Sequence, residues 1–202
     1  MKKTKIEAEL TKGSILDASM ELFNEKGYSQ TSVEDIVKHL GLTRGAFYWH
    51  FKDKEDLVKK LIFREHTYIA GIIAEAASGK YGCRQKLINL ATTSIDSFYE
   101  NKRYRDYVYL VRFKMEFVSS STYFEGLTNL NQFVVAEIVK AINECKEKNE
   151  IENNIDPEST AVHLVSLNDG MFRMYFALPD HLSNKESAKK ILNDYLDTIF
   201  KK

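Results

Sequence analysis

Residues 31–56 read TSVEDIVKHLGLTRGAFYWHFKDKED, and this stretch decides the fold. Ile36, Val37 and Leu40 form one apolar stripe at helical spacing. Thr31 and Ser32 are alternative caps for that helix, because each has an acid three residues on, Glu34 and Asp35 respectively. Gly41 suits the left-handed conformation that ends a helix, and Thr43 can cap the next one. Two short helices joined by so tight a glycine turn predict a helix-turn-helix.

At about 100° per residue, the second helix has two unlike sides. Phe47 and Phe51 share one side, with Leu42 as an apolar anchor just before it. Gly45, Ala46 and Trp49 fall opposite, with Tyr48 and Lys52 at the margin. Small residues let a backbone approach a surface closely, and Trp49 is too large and apolar to sit in water without a purpose. Arg44, His50, Lys52 and Lys54 surround that face with donors suited to phosphate oxygens. Ser32, at the entry of the first helix, joins the same candidate set. Asp53 is positioned to cap the following helix, with Asp56 at its third position, and free amides at such a start suit a phosphate.

Residues 11–56 resemble the DNA-binding domain of the TetR family of bacterial transcription regulators. The resemblance runs through ILDASMELFNEKGYSQTSVEDIVKHLGLTRGAFYWHFKDKEDL, and most of all through Phe23, Gly27, Thr31, Ile36, Gly41, the run Gly45 to Phe51, Lys54 and Leu57. The phrases KKTKIEAELTKGSILDA and LTRGAFYWHFKDKEDL further resemble the AcrR-like branch, which represses multidrug efflux pumps. The resemblance implies that Thr31, Thr43, Tyr48, His50 and Lys54 chiefly meet phosphates. It places Arg44, Gly45, Ala46 and Trp49 at or near base edges.

Bulk properties set the frame. Lys and Arg total 29 and Asp and Glu total 29, so any nucleic-acid binding must be local to one surface and doubled by dimerisation. Two Pro and 9 Gly in 202 residues favour long helices over turn-rich β structure. No apolar run approaches the ~18 residues needed to cross a bilayer. The basic start Met1-Lys2-Lys3-Thr4-Lys5 leads into Glu7 and Glu9, not into an apolar signal core. A cytoplasmic location without membrane attachment is the expectation. Cys83 and Cys145 stand isolated, with no second Cys or clustered His at metal-ligand spacing, so reduced buried thiols and no metal or cofactor are expected.

In chain order, residues 1–10 are a charged lead, read as an extension of the first helix or an arm. Ile15, Ala18, Leu22 and Phe23 give a helical stripe that Gly27 ends, completing a three-helix domain. From Asp53 the pattern continues through Leu57, Leu61, Ile62, Tyr68, Ile69, Ile72 and Ile73 to about Ala77. Such a helix is about 36 Å long and is the natural lever out of the module; residues 78–82 break it. Five helices are then expected at about 83–101, 103–119, 121–149, 157–178 and 184–200. Gly126 is a candidate interruption of the third, Asp156-Pro157 marks a helix entry, and Ser183 or Asn184 opens the last. The fold class is therefore all-α, with about nine helices. Residues 1–56 are the DNA-binding domain and 57–202 a ligand-binding and dimerisation domain.

The segment 98–133 is rich in aromatics, which serve helical cores but also line cavities for flat apolar ligands when mixed with Met. The expected lining is Ile62, His66, Phe113, Glu116, Phe117, Asn168 and Phe172, with Glu116 favouring a cationic ligand. Helices 157–178 and 184–200 carry apolar residues on more than one side, which calls for a partner; the TetR resemblance implies a four-helix dimer interface there. The expected function is a homodimeric transcription regulator, a repressor, that binds inverted-repeat double-stranded DNA and is released by a small apolar or cationic molecule. Two alternatives stand beside it: a TetR-fold DNA-binding protein with a protein or DNA effector and no small ligand, or a helical enzyme. Against the enzyme, there is no phosphate-binding Gly loop, no Gly-x-Ser-x-Gly, no His-Glu-x-x-His and no Cys cluster.

Overall fold

A computed structural model of the chain describes residues 5–115, 121–182 and 184–201, and for 121–125 the backbone alone. Its helices are α1 (Lys5–Lys26), α2 (Val33–His39), α3 (Arg44–Tyr48), α4 (Lys54–Ala76), α5 (Cys83–Glu100), α6 (Lys102–Tyr109), α7 (Ser121–Glu147), α8 (Pro157–Ala177) and α9 (Lys185–Ile199). The fold is all-α: the only β pairing among the described residues is an isolated antiparallel bridge between Ile151 and Phe200.

Helix ends follow local chemistry. Ser32, not Thr31, caps α2: its hydroxyl accepts from the Asp35 amide at 3.1 Å, and its own amide donates to the Asp35 carboxylate at 2.8 Å. The reciprocal pair satisfies two amides that the first turn leaves orphaned. Gly41, at φ 64°, reverses the chain after α2, a conformation that costs a Cβ-bearing residue about 1–2 kcal/mol. Thr43 caps α3 by accepting from the Ala46 amide at 3.2 Å. Asp53 receives the Asp56 amide at 2.8 Å as α4 begins. Asp156 and Asn184 cap α8 and α9 in the same way.

Two expectations about the middle of the chain need correction. The helix expected at 103–119 is α-helical only to Tyr109, and Leu110–Lys114 then winds as a π-helix. Apolar periodicity does not distinguish i+4 from i+5 bonding over one turn, so the sequence shows no break there. The candidate interruption at Gly126 does not occur: α7 runs through it, since an isolated glycine costs a long helix only about 1 kcal/mol. Ser183 lies outside the described residues.

The chain forms two compact units: residues 1–65 with 106–126, and residues 66–105 with 127–202. In the first, α1 packs on α2 and α2 on α3, around fully buried Ile15, Phe23, Ile36, Phe47, Phe51, Leu57 and Leu61. Arg64 on α4 reaches Asp17 on α1 at 2.8 Å. In the second, α5 packs on α8 and α9 over Leu87, Ala91, Leu164, Leu192 and Leu196. Lys189 holds both Asp96 oxygens at 2.9 Å, and His163 stacks on Tyr195 with centroids 4.2 Å apart. No helix among the described residues is long and apolar enough to cross a membrane.

Candidate nucleic-acid interface

The exposed side of α3 is built by what its other side buries. Phe47 and Phe51 are sealed in the core with tilted rings 5.3 Å apart, which fixes the roll of the helix. Trp49 is thereby turned outward and is 81% exposed. Arg44, Gly45 and Tyr48 are exposed with it, and Ala46 and His50 are half-buried. Arg44 donates to the Tyr48 hydroxyl at 3.4 Å, and its guanidinium lies 3.9 Å from Glu34. It is held in place yet stays in solvent. A Cβ on Gly45 would meet only the Thr43 hydroxyl, at 3.8 Å, and the φ of Gly45 is not positive. The fold itself does not need glycine here, and the bare backbone leaves room for a close approach from outside. Thr43 and Ser32 are exposed caps, and Lys52 is exposed with its amide bonded to Asp56 at 2.9 Å. On and around α3 a large apolar ring is thus exposed among cationic and hydroxyl donors.

Two members of the sequence-derived set sit elsewhere. Thr31 is 1% exposed, and its hydroxyl donates to the Leu22 and Gly27 carbonyls at 3.2 and 2.9 Å. Its side chain closes the turn after α1. Lys54 directs its ammonium inward: Nζ donates to the Tyr28 and Thr31 carbonyls, both at 2.9 Å, and lies 4.2 Å from the Tyr28 ring centroid. Burial pushes its pKa down. A residue the sequence missed, Lys60, does parallel work by donating to the His50 carbonyl at 2.9 Å and to Asp56 at 2.8 Å. It ties the end of the reading helix to α4, and a lysine one turn beyond a capping aspartate pair was its only sequence signal.

The expected ligand residues are scattered by comparison. Ile62 is buried in the first unit, as part of α4, and Phe113 is half-buried there with its ring 5.3 Å from Tyr109. Glu116 and Phe117 lie outside the described residues. His66, in the second unit, is half-buried, and burial pushes its pKa down to about 4. Asn168 is bound within the helices: it donates to the Ala91 and Leu164 carbonyls at 3.0 and 3.2 Å and accepts from Ser94 at 2.8 Å. Phe172 stacks on buried Phe98 at 4.7 Å, in an aromatic cluster with Tyr104 and Tyr175. An open polar groove of about 320 Å³ in the second unit is lined instead by residues such as Tyr81, Asn89, Thr92, Asp96 and Lys189. Cys83 and Cys145, isolated in sequence, are both buried thiols, and the fold brings them together with Glu150.

A three-helix unit that buries one side of a five-residue helix and presents the other is the arrangement of helix-turn-helix transcription regulators. The sequence model described as "Bacterial regulatory proteins, tetR family" matches residues 15–61. The uncharacterized HTH-type transcriptional regulator YwcC of Bacillus subtilis is 30% identical over 187 residues, covering 88% of this chain and 82% of its own. The chain belongs to the TetR family, whose members are transcriptional regulators and not enzymes. The HTH-type transcriptional regulator TtgR of Pseudomonas putida is 26% identical over 207 residues, 98% of this chain and 96% of its own. The same fold occurs in SmeT, the repressor of a Stenotrophomonas maltophilia multidrug efflux pump, solved with triclosan. That structure has a TM-score of 0.82 at 22% identity and covers 95% of this chain and 92% of SmeT.

Proposed function

We propose that this regulator is a cytoplasmic repressor that binds an inverted-repeat operator as a homodimer and is released by a small apolar or cationic molecule. The observation that carries the reading is the exposed Trp49 ring on a helix whose opposite side is locked into the core. The proposed contact set is Ser32, Thr43, Tyr48, His50 and Lys52 toward phosphates, with Arg44, Gly45, Ala46 and Trp49 toward base edges. Thr31 and Lys54 act behind that surface and hold it in shape. The module ends near residue 56, and residues 57–202 carry effector binding and dimerisation.

Dimerisation through α8 and α9 is supported by exposed Val162 and Met174 on the first, Leu178 just after it and Ile191 on the second. Phe172 on α8 and Leu192 on α9, by contrast, are 4% and 0% exposed within one chain and belong to its core. An effector binding in the second unit near His66 and Phe172 acts by shifting a population. It must bind the state incompetent for DNA more tightly, or nothing moves. Helix α4 is continuous across the two units and supplies the covalent route. A change in separation of two reading helices, matched to a groove repeat of ~34–36 Å, then weakens binding. Triclosan on SmeT is an example of the expected ligand chemistry.

The test is selection of bound sequences from random DNA, followed by release screening with apolar and cationic aromatic compounds. Enrichment of a palindrome, with release by a subset of compounds, is expected. A non-palindromic site, or a palindrome that no compound releases, overturns the dimer or the effector part respectively.

A further inference from the structure

We propose that Cys83, Cys145 and Glu150 form a binding site for a thiophilic divalent cation, Zn²⁺ in its ordinary form. The two sulfurs and a Glu150 carboxylate oxygen all lie within 4.8 Å of one another. The three donors come from three segments. Cys83 is the first residue of α5, Cys145 is in the last turn of α7, and Glu150 follows in the connection to α8. Sixty-odd residues separate the thiols in sequence, roughly the span from one end of α5 to the far end of α7 by the helix bounds, so only the fold makes them neighbours.

The backbone around Glu150 is fixed. Asn149 adopts φ 60°, the Glu150 amide donates to the Cys145 carbonyl at 2.8 Å, and the Glu150 carbonyl accepts from the Lys201 amide at 2.9 Å. The turn therefore carries the carboxylate back to the thiols, and the next residue, buried Ile151, pairs with buried Phe200. Cys83 also stands at a helix start whose cap, Gly82, supplies no side-chain bond.

The chemistry of the set selects the ion. Two sulfurs and one oxygen suit Zn²⁺ or Cd²⁺ over Mg²⁺ or Ca²⁺. With Zn–S bonds of about 2.3 Å, a tetrahedral ion sets its two sulfurs about 3.8 Å apart, inside this spacing. Both cysteines are buried while Glu150 is half-exposed, so the carboxylate is the donor through which the site meets solvent. Each thiol gives its proton to solvent as its bond to the cation forms. The bound ion would join the start of α5 to the end of α7 and to the C-terminal segment that pairs with residues 150–151.

The experiment is a titration of the full-length, reduced, chelator-treated protein with Cd²⁺, followed by ultraviolet thiolate-to-cadmium charge transfer and by elemental analysis, with Zn²⁺ as competitor. One ion per chain, a rise in melting temperature of several degrees, and displacement by Zn²⁺ are expected. Cys83→Ser and Cys145→Ser should abolish the band, and Glu150→Gln should weaken binding at least tenfold. Should a serine variant unfold, protection of both wild-type thiols from alkylation by bound Cd²⁺ gives the same answer. An unchanged band in Cys83→Ser overturns the assignment, as does absence of binding by reduced wild type. A Cys83–Cys145 disulfide that forms in air, with no ion taken up after its reduction, does the same.

Discussion

Replacing Lys54 by Met separates two roles that this lysine could have beside DNA. Its ammonium makes two bonds of 2.9 Å, to the Tyr28 and Thr31 carbonyls, and sits 4.2 Å from the Tyr28 ring centroid. Hydrogen bonds to a charged group contribute roughly 1.5–3 kcal/mol each. Lys54 is only half-buried, so water can partly replace it at the carbonyls, which discounts each bond to about 1 kcal/mol. A loss of about 2 kcal/mol for the pair follows. At about 2–4 °C per kcal/mol for a chain of this size, Lys54→Met should melt about 4–8 °C below wild type. A lysine that neutralises a phosphate contributes about 0.9 to the slope of log K against log salt. Because this ammonium is committed within the domain, the slope should stay at the wild-type value. Calorimetry and operator titration at four or five salt concentrations give both quantities. An unchanged melting temperature with a slope smaller by about 0.9 would refute the internal role and return Lys54 to the phosphate contacts.

Trp49→Ala should cost stability no more than about 0.5 kcal/mol, since the ring is exposed, yet reduce operator affinity at least tenfold in a direct binding assay; unchanged affinity removes Trp49 from the interface. Gly45→Leu should likewise fold normally and lose DNA binding, which circular dichroism and a mobility assay check together. Ile191→Asp combined with Met174→Asp should yield folded monomers by sedimentation, whereas Leu192→Asp should unfold the chain, because it buries a charge among Leu196 and Ile199. A wild-type chain that sediments as a monomer at micromolar concentration would sink the dimer. His66 has its folded pKa lowered to about 4 by burial, against about 6.5 in an unfolded chain. The unfolded state then binds more protons between these values, so stability is full above pH 6.5 and is lost as pH falls toward 4. At pH 5 the simple linkage gives about 2 kcal/mol, reduced to about 1 for a ring partly in solvent. Denaturant melts at pH 7 and 5 should show that loss in wild type and not in His66→Phe.

The reading module was legible in the amino acids because its signals are local. A serine and an aspartate three residues apart, a glycine between two short stripes, and a threonine before Arg44 need only neighbouring residues to act. The same holds for Phe47 and Phe51 turned against Trp49, since helical geometry alone sets that opposition. The caps of α4, α8 and α9 were equally plain. Long-range pairing was not. Thr31 and Lys54 have the residue types of phosphate contacts, but their donors meet carbonyls across a fold that places Leu22, Tyr28 and α4 side by side. Periodicity marked Phe172 as apolar without telling that Phe98 would cover it. Asn168 looked like a polar group facing a cavity until Ser94 and the Ala91 carbonyl took its amide. Cys83 and Cys145 show the limit most sharply, for no spacing rule joins residues at opposite ends of two helices. Caps, turns and helix faces are settled within a few residues of chain. Whether a buried donor is spent, an aromatic ring covered or two thiols neighbours depends on packing between segments, where each side chain's partner is chosen by the whole fold.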